Sequence, residues 1–237
     1  MARDTDPKTR RLLGPLLVVA VAPSIGSLAG LWIWPGPIGS AVYAACKLLL
    51  YGIPAWVAWR TIDRTALRAG IRQGTRPKAV LFGLGSGLLV GGLLLATWFL
   101  VLRESASTDR LVETMKESGL DRPARFWLFT AWLTVGNSFL EEFVFRWFVD
   151  SRFRLLGVPV LLAIPVSAAI FTIHHVIVLA AFFDPGLVVL GSCGVFLGGV
   201  IWSATLRLFG SIVPAWISHA VVDLAIVVVG ASILGFL

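Results

Sequence analysis

The sequence has 237 residues, 57% of them apolar and only 14% charged, with a mean hydropathy of +0.88. That balance excludes an ordinary soluble domain and predicts an all-α protein, a polytopic transmembrane helical bundle of about seven or eight membrane helices. The net charge of +7 does not mark a nucleic-acid binder, because the Lys and Arg residues fall between apolar runs, where they set topology.

Seven apolar stretches are long enough to cross a bilayer, at about 12–34, 38–59, 79–102, 126–149, 158–183, 187–206 and 212–235. Arg3, Lys8, Arg10 and Arg11 precede the first in the manner of a signal peptide. The run continues to Trp34, however, and Pro23 follows the best small-residue site, so an uncleaved signal anchor is expected. The 60–78 loop carries Arg60, Arg64, Arg68, Arg72, Arg76 and Lys78 against Asp63, and the 150–156 loop adds Arg152 and Arg154. These basic segments predict a cytoplasmic N-terminus, and the short loops and compact size suit a bacterial inner membrane. Glycines in 84–92 read as close helix packing. In the charge-balanced 103–125 segment, Ser107 or Thr108 can cap a short outer-surface helix closed by Gly119, with Leu111, Val112 and Met115 on one side. Cys46 and Cys193 lie in apolar runs without metal-ligand or disulfide spacing.

The fourth run departs from this pattern: it holds Glu141, Glu142 and Arg146. Each charge at mid-bilayer costs roughly 2.5–3.5 kcal/mol on insertion scales, so the three together need a reason to be there. Glu142 and Arg146 are four apart and share a helix face, which predicts an ion pair. Glu141 lies about 100° away round the helix, with Asn137 one turn earlier on the same face. The other ionisable residues inside apolar runs are Lys47, His174, His175, His219 and Asp223. His219 and Asp223 are again four apart, whereas His174 and His175 are adjacent and only one can face a given partner. His174 reads as packing or as support for the groups that do the chemistry, and Lys47 as snorkelling, packing or pairing with a polar group. Pro159 and Pro165 predict a broken fifth helix whose crossing starts at Pro165, with 153–164 as an interfacial or re-entrant piece. Glu141 then lies roughly 12 Å from its helix end, His219 roughly 10 Å and His175 roughly 15 Å, comparable depths at which one site can form.

The ordered motifs Glu141-Glu142-x-x-x-Arg146, Phe171-x-x-x-His175 and His219-x-x-x-Asp223 resemble those of the CPBP intramembrane proteases, the Abi or CAAX protease family. The resemblance covers about 126–235 and divides the chain into 1–125, the first three membrane helices with the short loop helix, and 126–237, a catalytic helical core. It implies an intramembrane endopeptidase acting on a membrane-embedded or lipidated peptide. Glu141 and His175 would activate water, His219 and Asp223 would stabilise the oxyanion, and Glu142, Arg146, Phe171 and Asn137 would support them. Position 223 is Asp where the eukaryotic CAAX enzymes have Asn, so it must be protonated to donate to an oxyanion, or else orient a charged His219. The favoured chemistry is of the glutamic-protease type and needs no cofactor; zinc held by Glu141, His175 and His219 is the alternative. Two readings from other classes are a proton-coupled transporter with a Glu/His/Asp relay, and a catalytically silent immunity or scaffold protein.

Overall fold

The architecture follows from a tight turn at 156–159, where Gly157 takes the left-handed conformation (φ +71°) and Pro159 caps the next helix. On either side of it lie two long antiparallel helices that carry most of the intramembrane polar groups. The structure is a computed structural model that describes residues 7–237, with side chains from Leu13 onward. The basic tail read from Arg3, Lys8, Arg10 and Arg11, and with it the signal-anchor reading, falls outside the described side chains. Among the described residues the protein is all-α, without strands. The helices are α1 (7–33), α2 (Pro37–Thr61), α3 (Arg64–Gly74), α4 (Pro77–Leu102), α5 (Asp109–Glu117), α6 (123–155), α7 (Val160–Phe182), α8 (Pro185–Phe209) and α9 (Val213–Ile233). Six of these, α1, α2, α4, α7, α8 and α9, contain segments long and apolar enough to cross a membrane. The charged helix α6 runs among them.

Helix α6 is the axis of the bundle. Its residues Val144, Phe145, Phe148 and Val149 have no exposed surface, and Leu16, Leu50, Phe171, Trp202 and Val222 from five other helices pack into the same core. Its winding alternates between α and wider π turns, at Trp132–Asn137 and Glu142–Val149. π turns concentrate at functional positions because the extra residue per turn re-aims side chains without ending the helix.

The fifth run differs from expectation in one respect. The break falls at 156–159 and not at Pro165, which sits inside a continuous α7 close to its start. So near the N-terminus a proline costs little, because only one backbone bond is lost. Residues 150–155 meanwhile extend α6. Glu141 thus lies about 14 residues from the end of α6 and His175 about 15 from the start of α7, roughly 21 and 22 Å. Both are deeper than expected by similar amounts, so their levels still match. Phe145 against Phe171 (centroids 5.0 Å) obeys the same register about the turn.

Small residues let α4 approach α9. A Cβ on Gly83 would meet the Pro214 carbonyl oxygen at 2.5 Å, and one on Gly87 the Ser218 carbonyl oxygen at 2.8 Å. These glycines are four apart and form a stripe on one face, as helix packing in lipid favours. The 60–78 segment, read as a loop, contains α3, because Asp63 caps it by accepting from the Thr65 amide (3.1 Å) and Arg, Ala and Leu favour helix. Thr108 takes the N-cap position of α5 but its side chain makes no capping bond, while Gly119 closes the helix at φ +69°. Cys46 and Cys193 are free thiols.

Candidate active site in the membrane interior

Adjacent positions on a helix point in different directions, and the two glutamates of α6 illustrate the consequence. Glu142 is fully buried. Its Oε1 accepts from His219 Nδ1 (2.9 Å) and its Oε2 lies 3.4 Å from Arg146 Nε, the expected i, i+4 pair. Arg146 is fully buried as well, its guanidinium between the rings of Phe171 (4.6 Å) and Trp202 (5.1 Å). A Cβ on Gly199 would stand 3.4 Å from Arg146 Nη2, so α8 leaves room for the cation there. Aromatic faces attract a desolvated guanidinium by about 2 kcal/mol, which offsets part of the cost of burying it. Phe171 therefore does more than pack: its ring also lies 4.5 Å from the His175 ring and 6.0 Å from the His219 ring.

Glu141 faces the other way, toward imidazoles. Its Oε2 lies 3.7 Å from His219 Nε2, and ligand atoms of Glu141, His174 and His175 all fall within 4.8 Å of one another. His175 Nδ1 donates to the Phe171 carbonyl (2.9 Å), which leaves Nε2 as the lone-pair nitrogen. His219 is fixed on three sides. Glu142 holds Nδ1, Trp202 stacks on the ring (3.9 Å, 13°), and Asp223 Oδ1 stands 3.6 Å from Nε2. Asp223 is thus beyond hydrogen-bond distance. The carboxylate that sets the His219 orientation is Glu142, a link that sequence spacing did not reveal.

The structure thus brings Glu141, Glu142, Arg146, Phe171, His175, His219 and Asp223 into one cluster. Asn137 joins it through Tyr51, whose hydroxyl donates to Asn137 Oδ1 (3.3 Å) and accepts from Lys47 Nζ (3.2 Å). Lys47 pairs with a polar group, one of the outcomes expected of it. His174 stacks on Phe145 (5.9 Å, 11°) and also belongs to the Glu141–His175 group, in line with packing or support. Three contributors were missed: Tyr51, Trp202 and Ser218. Trp202 sits mid-helix, unlike the tryptophans near run ends, and that position was its signal. Ser218, beside His219, accepts from Trp202 Nε1 (3.1 Å) and from Ser86 (3.0 Å), tying α4, α8 and α9 together.

A helical membrane bundle with acid and imidazole groups clustered in its interior defines a polytopic integral membrane protein with an intramembrane polar site. The family model described as Rce1-like, type II CAAX prenyl endopeptidase Rce1-like, matches residues 123–225, and this part of the chain is similar to that family. No curated protein and no solved structure matches the chain.

Proposed function

We propose that the protein is an intramembrane endopeptidase that hydrolyses a peptide bond of a membrane-associated or lipidated substrate. The observation that carries this reading is the approach of His175 and His219, from two other helices, to Glu141: His219 Nε2 lies 3.7 Å from its Oε2, and ligand atoms of His175 and Glu141 lie within 4.8 Å of each other. The Glu141 carboxylate accepts a proton from the water while the His175 Nε2 lone pair fixes its second hydrogen. The water oxygen bonds to the carbonyl carbon, and the C=O π electrons move to oxygen. The resulting oxyanion lies against His219 Nε2–H, with the positive imidazolium favoured by Glu142 at Nδ1 and by Asp223 nearby. Glu141 then passes its proton to the amine nitrogen as the C–N bond breaks, and an acid and an amine leave. The Arg146–Glu142 pair holds the frame.

The residues that would hold a metal, by mutual distance, are Glu141, His174 and His175, so that His174 and not His219 supplies the third ligand. Zinc held there would acidify a bound water. The glutamic reading is favoured because Glu141, His175 and His219 between them supply a base, a water-fixing lone pair and an oxyanion donor, and the zinc content of the active protein separates the two chemistries. The test compares the reconstituted protein with its Glu141→Gln variant on a quenched, farnesylated peptide. Loss of a general base should lower cleavage about 10²–10⁴-fold with normal expression. Cleavage that persists in Glu141→Gln removes Glu141 as the base, and absence of cleavage by the wild-type protein favours the silent scaffold.

A further inference from the structure

Lys47 lies in α2, outside the region matched by the family, and the mechanism above does not use it. An ammonium inside an apolar helix is costly and calls for a partner. Among the described residues its only hydrogen bond is to the Tyr51 hydroxyl (3.2 Å), and the rings of Tyr43 and Tyr51 lie 5.5 and 5.3 Å from Nζ. Among the described residues no acidic side chain forms an ion pair with it. An ammonium carries three donors, so two remain for an incoming anion. The Tyr51–Asn137 bond sets this cation beside the helix turn that carries Glu141, without direct contact with the carboxylate. Lys47 is half-buried and Tyr43 beside it is 40% exposed, so this group of side chains lies at the outer face of the bundle.

We infer that Lys47, held in place by Tyr51, is a subsite for the terminal carboxylate of a peptide substrate cleaved near its C-terminus. This rests on the endopeptidase reading. A C-a-a-X chain ends three residues beyond its lipidated cysteine, so cleavage after that cysteine leaves a tripeptide with a free carboxylate. Three extended residues reach roughly 10 Å, a span suited to groups joined by the short Glu141–Asn137–Tyr51–Lys47 path. A carboxylate entering a dry site alone is strongly disfavoured, and a waiting ammonium with free donors offsets part of that penalty. The aromatic walls of Tyr43 and Tyr51 suit the apolar side chains that precede the terminus.

The test measures binding, so that it does not depend on turnover. Full-length protein carrying Glu141→Gln is reconstituted in zwitterionic phosphatidylcholine vesicles, which removes anionic headgroups as competitors. Two fluorescent farnesylated peptides are titrated, one ending in a carboxylate and the other in a carboxamide. The acid should bind at least tenfold more tightly than the amide. Lys47→Gln should bring the acid to the amide's affinity while leaving the amide unchanged, and Lys47→Arg should keep the preference. Equal binding of acid and amide before Lys47 is changed overturns the subsite, as does a preference that survives Lys47→Gln or an equal loss for both peptides. Failure of the wild-type protein to cleave either peptide, with the Lys47-dependent preference intact, removes the endopeptidase reading and leaves the carboxylate subsite standing.

Discussion

Glu141 and Glu142 are chain neighbours in opposite surroundings. Glu142 belongs to a closed side of the site, where His219 bonds one of its oxygens, Arg146 stands at ion-pair distance from the other, and Phe171 and Trp202 shield the guanidinium. Glu141 belongs to an open side, where two imidazoles stand at more than contact distance and the His175 lone pair has no fixed partner. The contrast shows how one helix turn separates a frame from a working group. The closed side spends binding energy on holding geometry, and the open side leaves lone pairs for a substrate and its water.

The strongest way to break the closed side is Arg146→Met. It leaves Glu142 buried without its cation, and loss of one partner of a buried pair costs about 3–5 kcal/mol. Glu142→Gln combined with Arg146→Met removes both charges and should recover a large part of that loss, although His219 then has only a neutral acceptor at Nδ1. Thermal unfolding in a fixed detergent separates the outcomes. An Arg146→Met protein within about 1 kcal/mol of wild type would show that the pair does not hold the frame.

A smaller effect separates the two faces of α4, which backs the site from behind. Gly87→Ala puts a methyl 2.8 Å from the Ser218 carbonyl oxygen and from Val221 Cβ, so α9 must shift next to His219. Overpacking of this kind costs about 1–3 kcal/mol, and cleavage should fall with it. Gly85→Ala meets nothing within 4 Å and should be stabilising by about 0.5–1 kcal/mol through helix propensity, with cleavage unchanged. Equal effects of the two substitutions would remove α4 as a support of the site.

The cluster was legible in the sequence to the extent that it rests on spacing within one helix. The i, i+4 relations of Glu142 with Arg146 and of His219 with Asp223, and the rarity of charge in apolar runs, placed the candidate residues on three helices. Depth worked for a less obvious reason: the turn falls before Pro159 and not at Pro165, yet the two helices shift by similar amounts because they flank the same turn. Contacts between distant segments were not legible. The Glu142–His219 bond joins positions 77 apart, and Lys47–Tyr51–Asn137 crosses from α2 to α6. Nor do the π turns of α6 leave a trace in the sequence, where apolar residues fall on every side of the helix and no period stands out.

The open side is sharpened most by a substitution expected to change little. His174 is buried, its Nδ1 has no partner, and its ring lies nearly parallel to that of Phe145. An unsatisfied buried nitrogen costs about 1–3 kcal/mol, so His174→Phe should leave stability unchanged or raise it. If Glu141 and His175 alone activate the water, cleavage should stay within about threefold of wild type, well inside the 10²–10⁴-fold that a lost base costs. If His174 instead completes a zinc site with Glu141 and His175, the same substitution removes one of three protein ligands. Cleavage and bound zinc would then fall together, and added zinc would restore neither. Retained cleavage with no zinc in either protein would confine the chemistry to the carboxylate and the imidazoles of positions 175 and 219, and would leave His174 as packing against Phe145.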